Sequence, residues 1–184
     1  TYGRSSSYGI LGSARAGGYF AAFKGAPDST LWYPSALANA LAGKDLDKEN
    51  PEIVIQVNSA AAWDTRNDGK PTKREYDMES VIIHELGHGL GFLSTDSYNL
   101  ARDPATRVVI ASGLLDQPTA FDAYLQTVDG RRLSDLPSPS TELATALTNP
   151  LVWTGAKGVA ANDGVMPKMY TPSTYEDGSS ISHL

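Results

Sequence analysis

Asp77-Met78-Glu79-Ser80-Val81-Ile82-Ile83-His84-Glu85-Leu86-Gly87-His88-Gly89-Leu90-Gly91-Phe92 decides how this chain is read. Asp77 is a good N-cap, because a carboxylate there accepts from amides one turn further on, and it predicts a helix from 77 to roughly 89. On that helix His84 and His88 project from one face with Cβ atoms about 5–6 Å apart. The separation suits two imidazole nitrogens meeting one zinc ion at about 2.0–2.1 Å each. Glu85, rotated about 100° around the axis, stays out of direct coordination yet near a metal-bound water, the position of a general base. Zinc lowers the pKa of such a water from about 15.7 towards roughly 7, so a neighbouring carboxylate can take its proton near neutral pH.

Three features set the stretch apart from two imidazoles that share a helix by accident. Val81, His84, Glu85 and His88 form one stripe, while Ile82, Leu86 and Leu90 form a second that is expected to pack into the core. Gly87, Gly89 and Gly91 each cost a helix about 1 kcal/mol relative to Ala, which close backbone approach or an abrupt helix ending would explain. The chain has three histidines, and the remaining one is His183. A three-histidine site with an open fourth position for water would use them all. Oxygen ligands stay open as alternatives at this point: Glu142, on a predicted helix over 141–148, and Asp96.

The run from His84 to Phe92 resembles the metzincin clan of zinc peptidases, in which a Gly three residues after the second His turns the chain sharply. The commonest clan pattern places the third ligand three residues beyond that Gly, and here that residue is Ser94. The longer resemblance is to leishmanolysin-like peptidases and related secreted microbial proteins. It runs over most of the chain, including Tyr33-Pro34-Ser35-Ala36-Leu37-Ala38-Asn39, Val159-Ala160-Ala161-Asn162 and Gly178-Ser179-Ser180-Ile181-Ser182-His183-Leu184. In that arrangement an insertion separates the Gly-Phe turn from a distant third His, so the resemblance implies His183 as the ligand. It also implies a methionine turn after that His, whereas Met166 and Met169 precede His183. The expectation is therefore a chain that lacks a C-terminal segment.

Outward from the motif, Pro34 followed by residues to Ala42 and then Gly43 has the order of a short helix over 34–42, with Leu37 and Leu41 on one face. Ile53-Val54-Ile55-Gln56-Val57 carries the β-branched bias of a buried strand. Tyr8–Leu11 and Gly18–Ala21 read as short strands, and 64–75, with Asn67-Asp68-Gly69, as a polar loop. Thr119-Ala120-Phe121-Asp122 resembles a capping box, Asp129-Gly130 reads as a hairpin turn, and the proline-bearing stretch 134–140 reads as a loop.

At 184 residues with 41% hydrophobic side chains, one domain over 1–184 with a real core is expected. The formal charge of −6 supplies no net basic field for phosphates, so nucleic acid is excluded as an expected partner. No apolar run approaches the roughly 20 residues of a membrane span. Cysteine is absent, which rules out disulfides and cysteine zinc sites. The start at Thr1, without signal-peptide organisation, implies processing or trimming upstream.

Calcium has no complete loop. Asp64, Asn67, Asp68 and Gly69, and likewise Asp45 with Asp47, are fragments without the closing Glu, and solvated acidic turns are expected there. Trp32, Trp63 and Trp153 are expected in packing rather than as specificity residues. Tyr170 and Tyr175 precede His183 and stand as candidate donors to an oxyanion, with packing the plainer alternative.

The reading is an α+β zincin of metzincin-like type, a mixed twisted sheet with Ile53–Val57 backing the helix that carries the site. It predicts a secreted zinc-dependent endopeptidase acting on protein or peptide, with Glu85 as base and His84, His88 and His183 on one Zn2+. The rivals are a zinc-stabilised adhesion or binding module and a zinc amidohydrolase acting on non-protein substrates. Oligomeric state is not legible in the sequence.

Overall fold

A computed structural model describes residues 9–184; of the strand expected over 8–11, Tyr8 lies outside them. The described chain is mixed α and β, with four helices and small two-stranded sheets. It divides into two compact units: Tyr33–Phe92 with the residues up to Pro27, and Asp28–Trp32 with Leu93–Leu184.

The first unit holds β1 (Gly12–Ala16), β2 (Tyr19–Phe20), β3 (Tyr33–Pro34), α1 (Ser35–Ala42), β4 (Ile53–Val57), β5 (Trp63–Asp64), β6 (Tyr76–Asp77) and α2 (Met78–Leu90). The β-branched run forms β4 as its composition predicts, antiparallel to β1 from Gly12↔Val57 to Ala16↔Ile53. It is half-buried rather than fully buried, with Gln56 exposed. Among the described residues, the mixed sheet expected behind the helix is this antiparallel pair, and apart from the isolated Trp32–Thr119 bridge the parallel pairing is that of β5 with β6. Strands of two to five residues in this unit leave too little ladder for a wider sheet.

Helix α2 starts where its cap predicts, since the Asp77 carboxylate accepts from the Ser80 amide at 3.0 Å. It packs on β1 and β4. Contact is so close at Gly89 that a Cβ there would lie 2.2 Å from Ile53 Cγ2. Gly91 ends the helix in the left-handed region at φ 120°, the conformation glycine alone adopts without strain. These two positions explain their glycines; a Cβ on Gly87 would meet open space.

The expected core stripe is corrected by this seating. Glu85, His88 and Gly89 are the buried positions of the helix, Glu85 against Gly12 and Gly89 against Ile53, while Leu86 and Leu90 are exposed at 38% and 55%, with Ile83 at 61%. In α1 the buried positions are likewise Ser35 and Ala38, and Leu41 is exposed. Its start at Ser35 and its left-handed Gly43 agree with the 34–42 expectation to within a residue.

The second unit holds β7 (Ser97–Arg102), β8 (Val109–Leu114), β9 (Leu125–Thr127), α3 (Thr141–Leu147), β10 (Leu151–Trp153) and α4 (Ala156–Ala161), with 3-10 turns at Asp122–Tyr124 and Leu133–Asp135. Helix α3 is capped by Ser140 and packs on β8 at Gly113, where a Cβ would come within 2.6 Å of the Ala144 amide. Leu125, Leu133, Leu143, Leu147, Leu151 and Ile181 are its largest fully buried apolar side chains. The Asp129-Gly130 turn forms, but β9 pairs with β10 instead of the chain leaving the turn. Burial of Leu133 draws that chain into a 3-10 turn after a single bridge, Gln126↔Arg132. Among the described residues no helix is long and apolar enough to cross a membrane.

Candidate metal centre

One helical turn brings the two imidazoles of α2 together. Their ring centroids lie 4.6 Å apart and their Nε2 atoms 3.0 Å apart. Two nitrogens on one tetrahedral zinc stand about 3.3 Å apart, so the observed spacing is already close to that of a shared ion. His88 is buried at 9% exposure, and His84 is exposed.

The sequence beyond the helix fixes the His88 ring. Gly91 turns the chain, and the Phe92 carbonyl comes to rest 2.8 Å from His88 Nδ1. An acceptor there requires the proton on Nδ1, leaving the Nε2 lone pair directed towards His84. This is the tautomer a metal-binding imidazole adopts when a carbonyl holds its other nitrogen.

His183 reaches the same state without a helix. Its Nδ1 faces the Ser179 carbonyl at 2.7 Å, which again puts the proton on Nδ1 and frees Nε2. The Ser179 and Ser180 amides donate to the Glu176 carbonyl, the Glu176 amide donates to Ser180 Oγ, and the Tyr170 amide donates to the His183 carbonyl. Ile181 holds φ 71° while fully buried. That conformation costs a β-branched residue on the order of 1–3 kcal/mol, so the surrounding packing dictates it.

His84, His88 and His183 form a group that could hold a metal ion: each offers one ring nitrogen, and these nitrogens all lie within 4.8 Å of one another. The acidic alternatives fall outside the group. Asp96 accepts from the Tyr175 hydroxyl at 2.9 Å, and Glu142 is paired with Arg131.

Glu85 is buried at 5% exposure. Its carboxylate lies over β1, where a Cβ on Gly12 would come 2.8 Å from Oε1 and 3.1 Å from Cδ and Cγ. Gly12 thus keeps the space the carboxylate occupies, a role no local pattern in the sequence announces. The Phe92 and Ser179 carbonyls are equally silent in sequence, because every residue has one.

Several other side chains singled out in the sequence are held by structural partners. The Tyr175 hydroxyl donates to Asp96 and that of Tyr170 to Glu176, so both phenols are committed within their own unit. Trp63 donates to the Asn58 carbonyl, and Trp153 packs against Phe121 and Tyr124. Arg66 grips Asp64 through two bonds of 2.7 Å and holds its carboxyl down to about 2. Asp45, Asp47 and Asp68 accept from amides two residues on, as acidic turn residues do. Met169 is buried, whereas Met166 is exposed.

No family model, curated protein or solved structure matches the chain.

Proposed function

We propose that this protein is a zinc-dependent endopeptidase, a zincin of metzincin-like type, with zinc on His84, His88 and His183 and Glu85 as general base. The observation that carries the reading is the convergence of three ring nitrogens within 4.8 Å, two of them on rings whose Nδ1 atoms face main-chain carbonyls. Three neutral imidazoles leave one position of a tetrahedral ion open, the donor set of a catalytic rather than a structural zinc. Bound there, zinc supplies Lewis acidity, lowering the pKa of water and polarising a carbonyl. Glu85 takes the proton of the attacking water and delivers it to the departing amine. The resemblance to leishmanolysin-like peptidases supports a peptide substrate and a secreted location.

Glu85→Gln in the full-length natural chain tests the reading. The expected outcome is one equivalent of zinc retained, with casein cleavage reduced by about 10²–10⁴-fold, the usual contribution of a positioned base. Full zinc occupancy with no cleavage of casein or a peptide library by the wild type would favour the binding module. Turnover restricted to small amides or cell-wall peptides would favour the amidohydrolase.

A further inference from the structure

The loop from Glu176 to His183 belongs to no helix or strand, so nothing regular in the backbone fixes the direction of the His183 ring. One tie reaches it from far along the chain. The Ser94 amide donates to Ser182 Oγ at 3.2 Å, across 88 residues. Ser94 is itself clamped: its hydroxyl donates to Asp122 Oδ1 at 2.5 Å, and the Asp96 amide donates to Ser94 Oγ at 3.1 Å. The other Asp122 oxygen accepts from the Thr119 amide and hydroxyl, both at 2.8 Å. Asp122 is fully buried, so it cannot turn away without stripping buried donors of their partner.

We propose that Asp122 and Ser94 are positioning residues for His183, the carboxylate clamping Ser94 and the Ser94 amide fixing Ser182 beside the ring. The inference rests on His183 as a metal ligand. It assigns a task to the residue that stands where the short-spaced metzincin pattern carries its third ligand: Ser94 binds no metal and instead holds the segment that supplies the distant one. Burial pushes the Asp122 carboxyl up to about 6, against the bonds from Ser94 and Thr119. A position that only filled space would gain nothing from a buried acid with that penalty.

The test measures zinc affinity by chelator competition, the visible spectrum of the cobalt-substituted protein and the melting temperature of the metal-free protein, all on the full-length natural chain. Ser94→Ala removes the clamp and Ser182→Ala removes the tie. Each is expected to weaken zinc binding by at least about tenfold, the low end of the range for residues that orient ligands, and to shift the cobalt bands. Ser94→Thr, which keeps the hydroxyl, restores both readouts. Thr95→Ala, which removes a neighbouring bond to the Gln117 carbonyl, leaves both unchanged. Variants with a lower melting temperature but wild-type zinc affinity and cobalt spectrum would overturn the positioning role while leaving the metal centre standing. Should Ser94→Ala fail to fold, Ser182→Ala decides by the same two readouts. A wild-type protein that takes up no stoichiometric zinc would overturn both readings together.

Discussion

The histidine pair of α2 and the histidine at 183 end in the same chemical state by unlike means. In the first unit, helical periodicity alone sets two rings side by side, and one capping turn supplies the carbonyl that orders His88. In the second unit, a loop without regular structure carries His183, and its order comes from a turn at Glu176–Ser180 and a bond across 88 residues. Local geometry needs little outside help, because its cost is shared with the helix. Non-local order depends on buried polar groups, which are costly when any partner is lost. The helix-borne half is therefore expected to be sensitive to how α2 is seated, and the loop-borne half to protonation and to distant side chains.

Gly89→Ala probes the seating of α2. The added methyl would sit 2.2 Å from Ile53 Cγ2. Overpacking of this kind costs about 1–3 kcal/mol or more, of which the better helix propensity of Ala recovers about 1. A net loss of up to about 2 kcal/mol is expected in chemical denaturation. An unchanged unfolding midpoint would show that α2 is not wedged against β4 and would break the comparison on the helix side.

Protonation sharpens it on the loop side. The Asp122 carboxyl titrates near 6 in the folded chain, above its ordinary value of 3.8. The folded state thus binds the proton more tightly, so this group's contribution to stability is complete below about 4 and is lost as pH rises through about 6. Burial raises Asp96 in the same direction. Unfolding free energies from pH 4 to 6.5 should show Asp122 removing up to about 3 kcal/mol over that window. Asp122→Asn should flatten this part of the profile, and equal slopes in both proteins would refute the assignment.

Leu86→Gln is the smallest perturbation. The side chain is 38% exposed, so a change within about 0.5 kcal/mol is expected, where a core leucine would cost several times more. A loss above about 2 kcal/mol would mean that this face of α2 is covered, as the sequence had suggested.

That face shows what the residue pattern left open. Asp77, the histidine spacing and the glycine ending are local features, and the helix follows them to within a residue. Which stripe turned inward was not local: it depended on Gly12 and Gly89, each defined by what lies opposite, Glu85 in one case and Ile53 in the other. Asp129-Gly130 repeats the lesson. The turn is legible, but the partner of β9 is β10, some two dozen residues on, chosen by core packing rather than turn chemistry. Of the three-histidine group, His84 and His88 could be read from one turn of helix, and His183 was reached by economy and by resemblance. Its ties through Ser94, Asp122 and Ser182 left no periodic trace.

Both ordered rings lean on main-chain oxygens, those of Phe92 and Ser179. Truncating either side chain leaves its carbonyl in place, so an alanine scan of the neighbourhood would pass over the two contacts that choose the tautomers. They yield only to changes of backbone path or to isotope-edited spectroscopy of the ring nitrogens. The ordering of the imidazoles is thus shielded from point mutation while remaining open to loop remodelling.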